Sequence, residues 1–256
     1  MSIDTYARRA LKTAVLPLGL ARPSRAGDLA VLLYHRVGVG SREIDIDERS
    51  FEGQMALLAD RVSVLSLDRA LDGSGRGGVV VTIDDGYRDF HDHVLPALER
   101  YRIPAVLYLA TGLVSDGEER LTWSMLAEAV ETGLVTVGAH THSHLPLGKL
   151  PEGDAHEEMR RSKELIEDRL GVPCRHFAYP FGVSGPGAER AARRLFDSAA
   201  LGWGTNRGGR LDPFRLARLP VLRSDGFAFF RAKARGLLDG EALVYRLLRR
   251  GPWRAV

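Results

Sequence analysis

The sequence predicts an α/β protein whose strands run parallel in one sheet or barrel, and three observations carry that prediction. Short, fully apolar, β-branched runs recur along the 256 residues, helical periodicity separates them, and polar clusters stand where the runs end. Runs without polar alternation suit strands covered on both faces, the usual condition of parallel sheets. Functional groups in such folds gather at the carboxyl ends of the strands.

The first run, Leu29 to Tyr34, delivers His35 and Arg36 at its end. Glu48 to Arg61 carries Phe51, Met55, Leu57 and Leu58 at helical spacing, and Val62 to Leu65 reads as a short strand. Val79 to Ile83 is the central strand, closed by Asp84, Asp85 and Gly86. Phe90, Val94, Leu95 and Leu98 then mark a helix between Tyr87 and Tyr101, and Ala105 to Ala110 is again a buried strand. Thr122 is placed to cap a helix reaching Glu131, after which Val135 to Ala139 delivers His140-Thr141-His142-Ser143-His144. Asp154 to Leu170 is an amphipathic helix with acidic first turns, which suits the positive end of its dipole; Gly171 and Pro173 end it. A strand leads into Phe177-Ala178-Tyr179-Pro180-Phe181-Gly182, a helix follows to Leu195, short strands lie near Ala199 and Leu216, and two basic helices finish the chain. No repeat or linker marks a second domain, so residues 29–225 are predicted as one unit. Residues 1–28 are expected to form a helical extension and residues 226–256 basic helices.

With 36 basic and 33 acidic residues the net charge is only +3, but it is unevenly spread. From Pro186 onward there are 15 Lys or Arg against 6 Asp or Glu, so the rest of the chain is acidic. No recognition motif accompanies the basic tail, which argues against a nucleic-acid partner. A single cysteine, Cys174, excludes an intrachain disulfide. Arg8, Arg9 and Lys12 precede the apolar stretch Ala14 to Leu20, which is too short to cross a bilayer and is interrupted by Pro17. No cleavage site of small residues follows it. The expected location is cytoplasmic, with peripheral membrane contact through this N-terminal helix or the basic C-terminus left open.

If the strands are neighbours, Asp84, Asp85, the histidine cluster, His35 and the turn at Tyr179-Pro180-Phe181 share one rim. Adjacent strand residues point to opposite sides, so Asp84 and Asp85 act together only if the backbone turns, which Gly86 permits. Two imidazoles and a carboxylate make a facial site for a divalent ion with open positions for water and substrate. In an extended chain His140, His142 and His144 would all point one way. On a helical turn His140 and His144 share a face and His142 lies opposite, and spacing alone does not choose between the two.

Three motifs in order, Thr82-Ile83-Asp84-Asp85-Gly86-Tyr87, His140-Thr141-His142-Ser143-His144 and Phe177-Ala178-Tyr179-Pro180-Phe181-Gly182, resemble the signature motifs of the polysaccharide deacetylases of carbohydrate esterase family four. The resemblance runs from Leu29 to Val221 and implies an irregular parallel (β/α) barrel of about seven strands. It implies that Asp85, His140 and His144 bind a divalent metal, with zinc the first choice, and that Asp84 is the catalytic base. Thr141 would brace the metal-binding loop, the backbone N–H of Phe181 would stabilise the oxyanion, and Tyr179, Pro180 and Phe181 would meet the sugar. Two departures stand out. Ala178 occupies the place where many members carry an arginine that pairs with the base, leaving Arg175 or Arg36 as candidates, and no histidine follows His176 although many members place their acid histidine late.

A proton donor for the leaving amine must therefore come from earlier in the chain. His35 alone among the remaining histidines ends an apolar strand, a position similar to that in a rearranged branch of the family. The implied function is metal-dependent removal of N-acetyl groups from an amino sugar in a polysaccharide or glycan precursor, with release of acetate. Two readings compete with it: an amidase for a small non-sugar amide, and a glycan-binding protein of the same fold without turnover.

Overall fold

Seven parallel strands curl into a single sheet, the architecture that the spacing of apolar runs predicts. The computed structural model describes residues 28–38, 40–73, 77–116, 118–206 and 211–236. In chain order these carry β1 (Leu29–Tyr34), β2 (Arg36–Val37), β3 (Asp45–Ile46), α1 (Glu48–Arg61), α2 (Leu67–Leu71), β4 (Gly78–Asp84), α3 (Leu95–Tyr101), β5 (Ala105–Leu109), α4 (Trp123–Glu131), β6 (Val135–Ala139), α5 (Glu152–Leu170), β7 (His176–Ala178), α6 (Pro186–Leu195), β8 (Ser198–Ala200), β9 (Leu219–Pro220) and α7 (Phe227–Ala234). The sheet order is β8-β7-β6-β5-β4-β1-β9, and β2 and β3 form a separate parallel pair. No helix among the described residues is long and apolar enough to cross a membrane. The expected N-terminal helix and the second of the basic terminal helices lie outside the described residues.

Local chemistry fixes the element ends. Asp47 accepts the Ser50 N–H at 2.9 Å to start α1, and Thr122 accepts that of Met125 at 3.2 Å to start α4. Gly171 ends α5 in the left-handed region, at φ 66°. Two sequence expectations are refined. Val62 to Leu65 contributes only a single bridge, Val64 to Val79, and the helix after Tyr87 begins with a wide π turn at Phe90–Val94 before α3.

The period of two along β4 sorts its residues between two cores. Val79, Val81 and Ile83 join the large core between sheet and helices, whereas Val80 joins a smaller cluster inside the barrel with Val31, Val106, Tyr108, Ala178 and Ala200. By the same alternation Thr82 and Asp84 face inward. The interior is apolar and tightly filled: a side chain on Gly138 would lie 2.7 Å from the Tyr108 ring.

Residues 216–220 close the ring. Leu216 bridges Ala200 in β8, and Leu219 and Pro220 of β9 pair with Leu32 and Leu33 of β1. Between these two attachments stands Arg218, fully buried.

Candidate metal centre and active site

The carboxyl end of β4 turns where two carboxylates must part. Asp85 has φ 77° and Gly86 φ 70°. Such a turn strains an L side chain at Asp85, and at Gly86 the positive φ favours glycine, where a Cβ would also stand 2.5 Å from the tip of the Leu109 side chain. The turn swings Asp85 back towards the face that Asp84 already occupies. The histidine loop bends similarly, with Thr141 at φ 67° and His144 at φ 55°. Thr141 Oγ1 accepts the His144 N–H at 2.9 Å, which brings His144 beside His140, ring centroids 4.9 Å apart.

Three groups converge as a result. Asp85 Oδ1 lies 3.5 Å from His140 Nε2 and 3.2 Å from His144 Nε2. Ligands about 2.0–2.2 Å from a tetrahedral ion would sit about 3.3–3.6 Å apart, so the residues present fit a divalent metal. His140 Nδ1 is 2.8 Å from the carbonyl oxygen of Ala178, an acceptor that requires Nδ1–H and so leaves the Nε2 lone pair facing Asp85. His142 is directed elsewhere, its Nδ1 3.0 Å from Thr111 Oγ1.

Asp84 is held by an arginine that sequence reasoning missed. Arg218 Nη1 and Nη2 donate to Asp84 Oδ1 and Oδ2 at 2.7 and 2.9 Å, a two-pronged pair buried at both ends. Arg218 also donates through Nε to the Leu201 carbonyl at 2.8 Å, and its guanidinium lies 5.4 Å from the Tyr108 ring centroid. Burial by itself would raise the Asp84 pKa, but the Arg218 charge, followed by His140, outweighs it and holds the carboxyl below its ordinary value. The two arginines considered from sequence are engaged elsewhere, Arg36 with Asp89 and Arg175 with Asp68, each at 3.1 Å. A signal was available: Arg218 is the one charge in the apolar run Leu216 to Leu222.

His35 follows β1, half-buried, and the charges acting on it are those of the same rim. Burial lowers its pKa, while Asp85 and then Asp84 pull it upward. Phe181 stands at the mouth, 51% exposed, at φ 59° and with its ring 4.9 Å from that of His144. Pro180, the preceding residue, is buried.

Tyr179 is a correction. Its ring is wholly enclosed, packed edge-on against Phe177 at 5.1 Å, so it offers no face to a sugar. Strand alternation explains this: Ala178 points into the barrel, and both its neighbours therefore point out under the helices.

Comparison with known proteins agrees with this geometry. The family model described as polysaccharide deacetylase matches residues 72–195. The Bacillus subtilis protein YxkH is 25% identical over 181 residues, 68% of this chain and 63% of YxkH. The poly-β-1,6-N-acetyl-D-glucosamine N-deacetylase of Staphylococcus epidermidis is 26% identical over 165 residues, 56% of this chain and 57% of that enzyme. The chain thus spans less than two thirds of either relative. Among solved structures, IcaB from Ammonifex degensii superposes with a TM-score of 0.72 at 26% identity, covering 84% of this chain and 99% of that one. The family model spans all three motifs, and a barrel closed around a braced aspartate with those motifs meeting at its rim makes this chain similar to the polysaccharide deacetylases.

Proposed function

We propose that the protein is a metal-dependent hydrolase that removes N-acetyl groups from an amino sugar in a polysaccharide or glycan precursor. The observation that carries this reading is an ionised, buried Asp84 lying 3.7 Å from His140 Nε2, beside the cluster of Asp85, His140 and His144. An ionised carboxylate outside the ligand set but next to it is what hydrolysis of an unactivated amide requires. The name of the staphylococcal relative supports an acetylated amino sugar as the substrate class.

Asp85, His140 and His144 would hold the ion, with zinc the first choice for two imidazoles and one carboxylate. The ion, when bound, polarises the acetamide carbonyl and makes water more acidic. Asp84, kept charged by Arg218, accepts a proton as water adds to the carbonyl carbon. The Phe181 N–H is assigned to the developing oxyanion, and the exposed Phe181 ring to one face of the sugar. His35 donates a proton to the nitrogen as the carbon–nitrogen bond breaks, releasing acetate and a free amino sugar. Peripheral contact with a membrane that carries the glycan is part of the same proposal, through the chain's basic ends.

Acetate release measured on acetylated glycans, nucleotide sugars and small cyclic amides, with and without added divalent metal, tests the reading. Release from the sugars alone, absent in Asp85→Ala, is the expected result. Release from the cyclic amides alone would replace it with an amidase, and glycan binding without release would replace it with a lectin-like role.

His35→Ala is expected to bind metal normally, to lose about 10²–10⁴-fold in turnover, and to lose the basic limb of the pH–rate profile. An unchanged profile would remove His35 from the proton path.

A further inference from the structure

The loop that carries His140 and His144 is gripped from two sides. On one side the turn Thr111–Leu113 receives it: Thr111 and Gly112 N–H groups donate to the carbonyl oxygens of Thr141 and His142 at 3.2 and 2.8 Å. Gly112 is required for that approach, because a Cβ there would stand 2.7 Å from the His142 oxygen. On the other side stands Glu158 of α5. Its Oε2 accepts the N–H groups of His142 and Ser143 at 3.1 and 2.8 Å, its Oε1 accepts the Ser143 hydroxyl at 3.0 Å, and its main-chain carbonyl shares the His142 N–H at 3.2 Å.

Glu158 differs from the other glutamates along this helix. Glu157 and Glu164 pair with Arg160, and Glu167 pairs with Lys163. Glu158 makes no ion pair among the described residues and spends its carboxylate wholly on two backbone amides and a hydroxyl of the loop. Those amides lie between Thr141 and His144, the two loop residues held at positive φ. A loop released from this grip would relax at those positions first, since an L side chain disfavours them. His140 would keep its place through the Ala178 carbonyl, whereas His144 would lose the geometry that aims Nε2 at Asp85.

We infer that Glu158 is a positioning residue for the metal centre: by fixing the His142 and Ser143 amides it preorganises His144 and so sets how tightly the site holds its ion. The inference rests on the reading of Asp85, His140 and His144 as metal ligands. It extends that reading to a side chain that touches neither metal nor substrate. Outer-shell partners of this kind are typically worth 10–100-fold in metal affinity or activity.

The test compares Glu158→Ala and Glu158→Gln with Glu157→Gln, a control on the same helix. Zinc and cobalt affinity are measured by competition with a chromophoric chelator, loop order by amide hydrogen exchange of the metal-free protein, and turnover by acetate release at saturating metal. Glu158→Ala is expected to weaken metal binding by about 10–100-fold and to speed exchange at Ser143, whose amide has only that carboxylate as its partner among the described residues, while His142 keeps its bond to the main-chain carbonyl of residue 158. Turnover should recover as metal is raised, and the thermal midpoint of the metal-free protein should stay near that of the parent. Glu158→Gln, which keeps the shape and one acceptor oxygen, is expected to show a smaller loss. Metal affinity within about twofold of the parent in Glu158→Ala would overturn the inference, as would an equal loss in Glu157→Gln. If the parent binds metal and releases no acetate while Glu158→Ala still weakens metal binding, the deacetylase reading fails and the role of Glu158 stands.

Discussion

Replacing Arg218 by methionine is expected to destabilise the fold by about 3–5 kcal/mol, because it strands a buried carboxylate without its counter-charge. Both partners are almost completely enclosed, so neither water nor salt can substitute for the lost pair. Turnover should fall as well, by about 10²-fold or more, since a base that moves by an ångström no longer lies in line with its water. The pH dependence carries a distinct signature. In the metal-free parent the folded-state pKa of Asp84 lies below the ordinary 3.8, so its contribution is present above that value and is lost as pH falls through the depressed one. In Arg218→Met only His140 and His35 still oppose burial, so the folded pKa rises above that of the parent, and the variant should gain stability relative to the parent as pH falls and Asp84 takes up a proton. Denaturant unfolding of parent and variant across the acid range measures this. Parallel curves would mean that the pair does not set the charge of Asp84.

Asp84→Asn is expected to leave metal content and fold intact and to remove about 10²–10⁴-fold of turnover. The amide is nearly isosteric and can still accept one hydrogen bond from Arg218, so the loss reports on proton transfer. Its Arg218 charge is then uncompensated, and a moderate fall in thermal midpoint should accompany the loss. Metal analysis and acetate release on the same preparation separate the two effects. Near-parental turnover would exclude Asp84 as the base.

The sequence made the strand ends legible because their signals are local. Val79 to Asp85 and Val135 to His144 each hold their strand, turn and functional groups within a few residues, and parallel pairing of β4, β5 and β6 brings them to one rim without further information. Spacing left the choice among His140, His142 and His144 open. Two left-handed residues resolve it, and positive φ at a threonine and a histidine has no reliable mark in sequence. Tyr179 was misassigned because an aromatic residue in a functional turn reads the same whether its ring faces substrate or core. The parity with Ala178 carried the answer. Arg218 shows in sequence only as a lone charge in an apolar run: its partner lies 134 residues away, and only closure of the ring decides which of several arginines reaches it. Glu158 was hidden among glutamates that sequence cannot tell apart, because helical spacing gives each a nearby cation and only tertiary placement withholds one.

The brace belongs to the seam of the barrel, and this ties competence to the order in which the chain is made. A ribosome delivers Asp84, Asp85 and both histidines long before residues 216–220, so an unfinished chain carries all three motifs while its base still lacks a counter-ion. Only when Leu216 has met Ala200 and Leu219 has met Leu32 does Arg218 reach the interior. On the proposed function, hydrolysis would begin only once this seam has closed, and a nick anywhere between Leu211 and Leu222 should silence the protein while sparing most of its secondary structure.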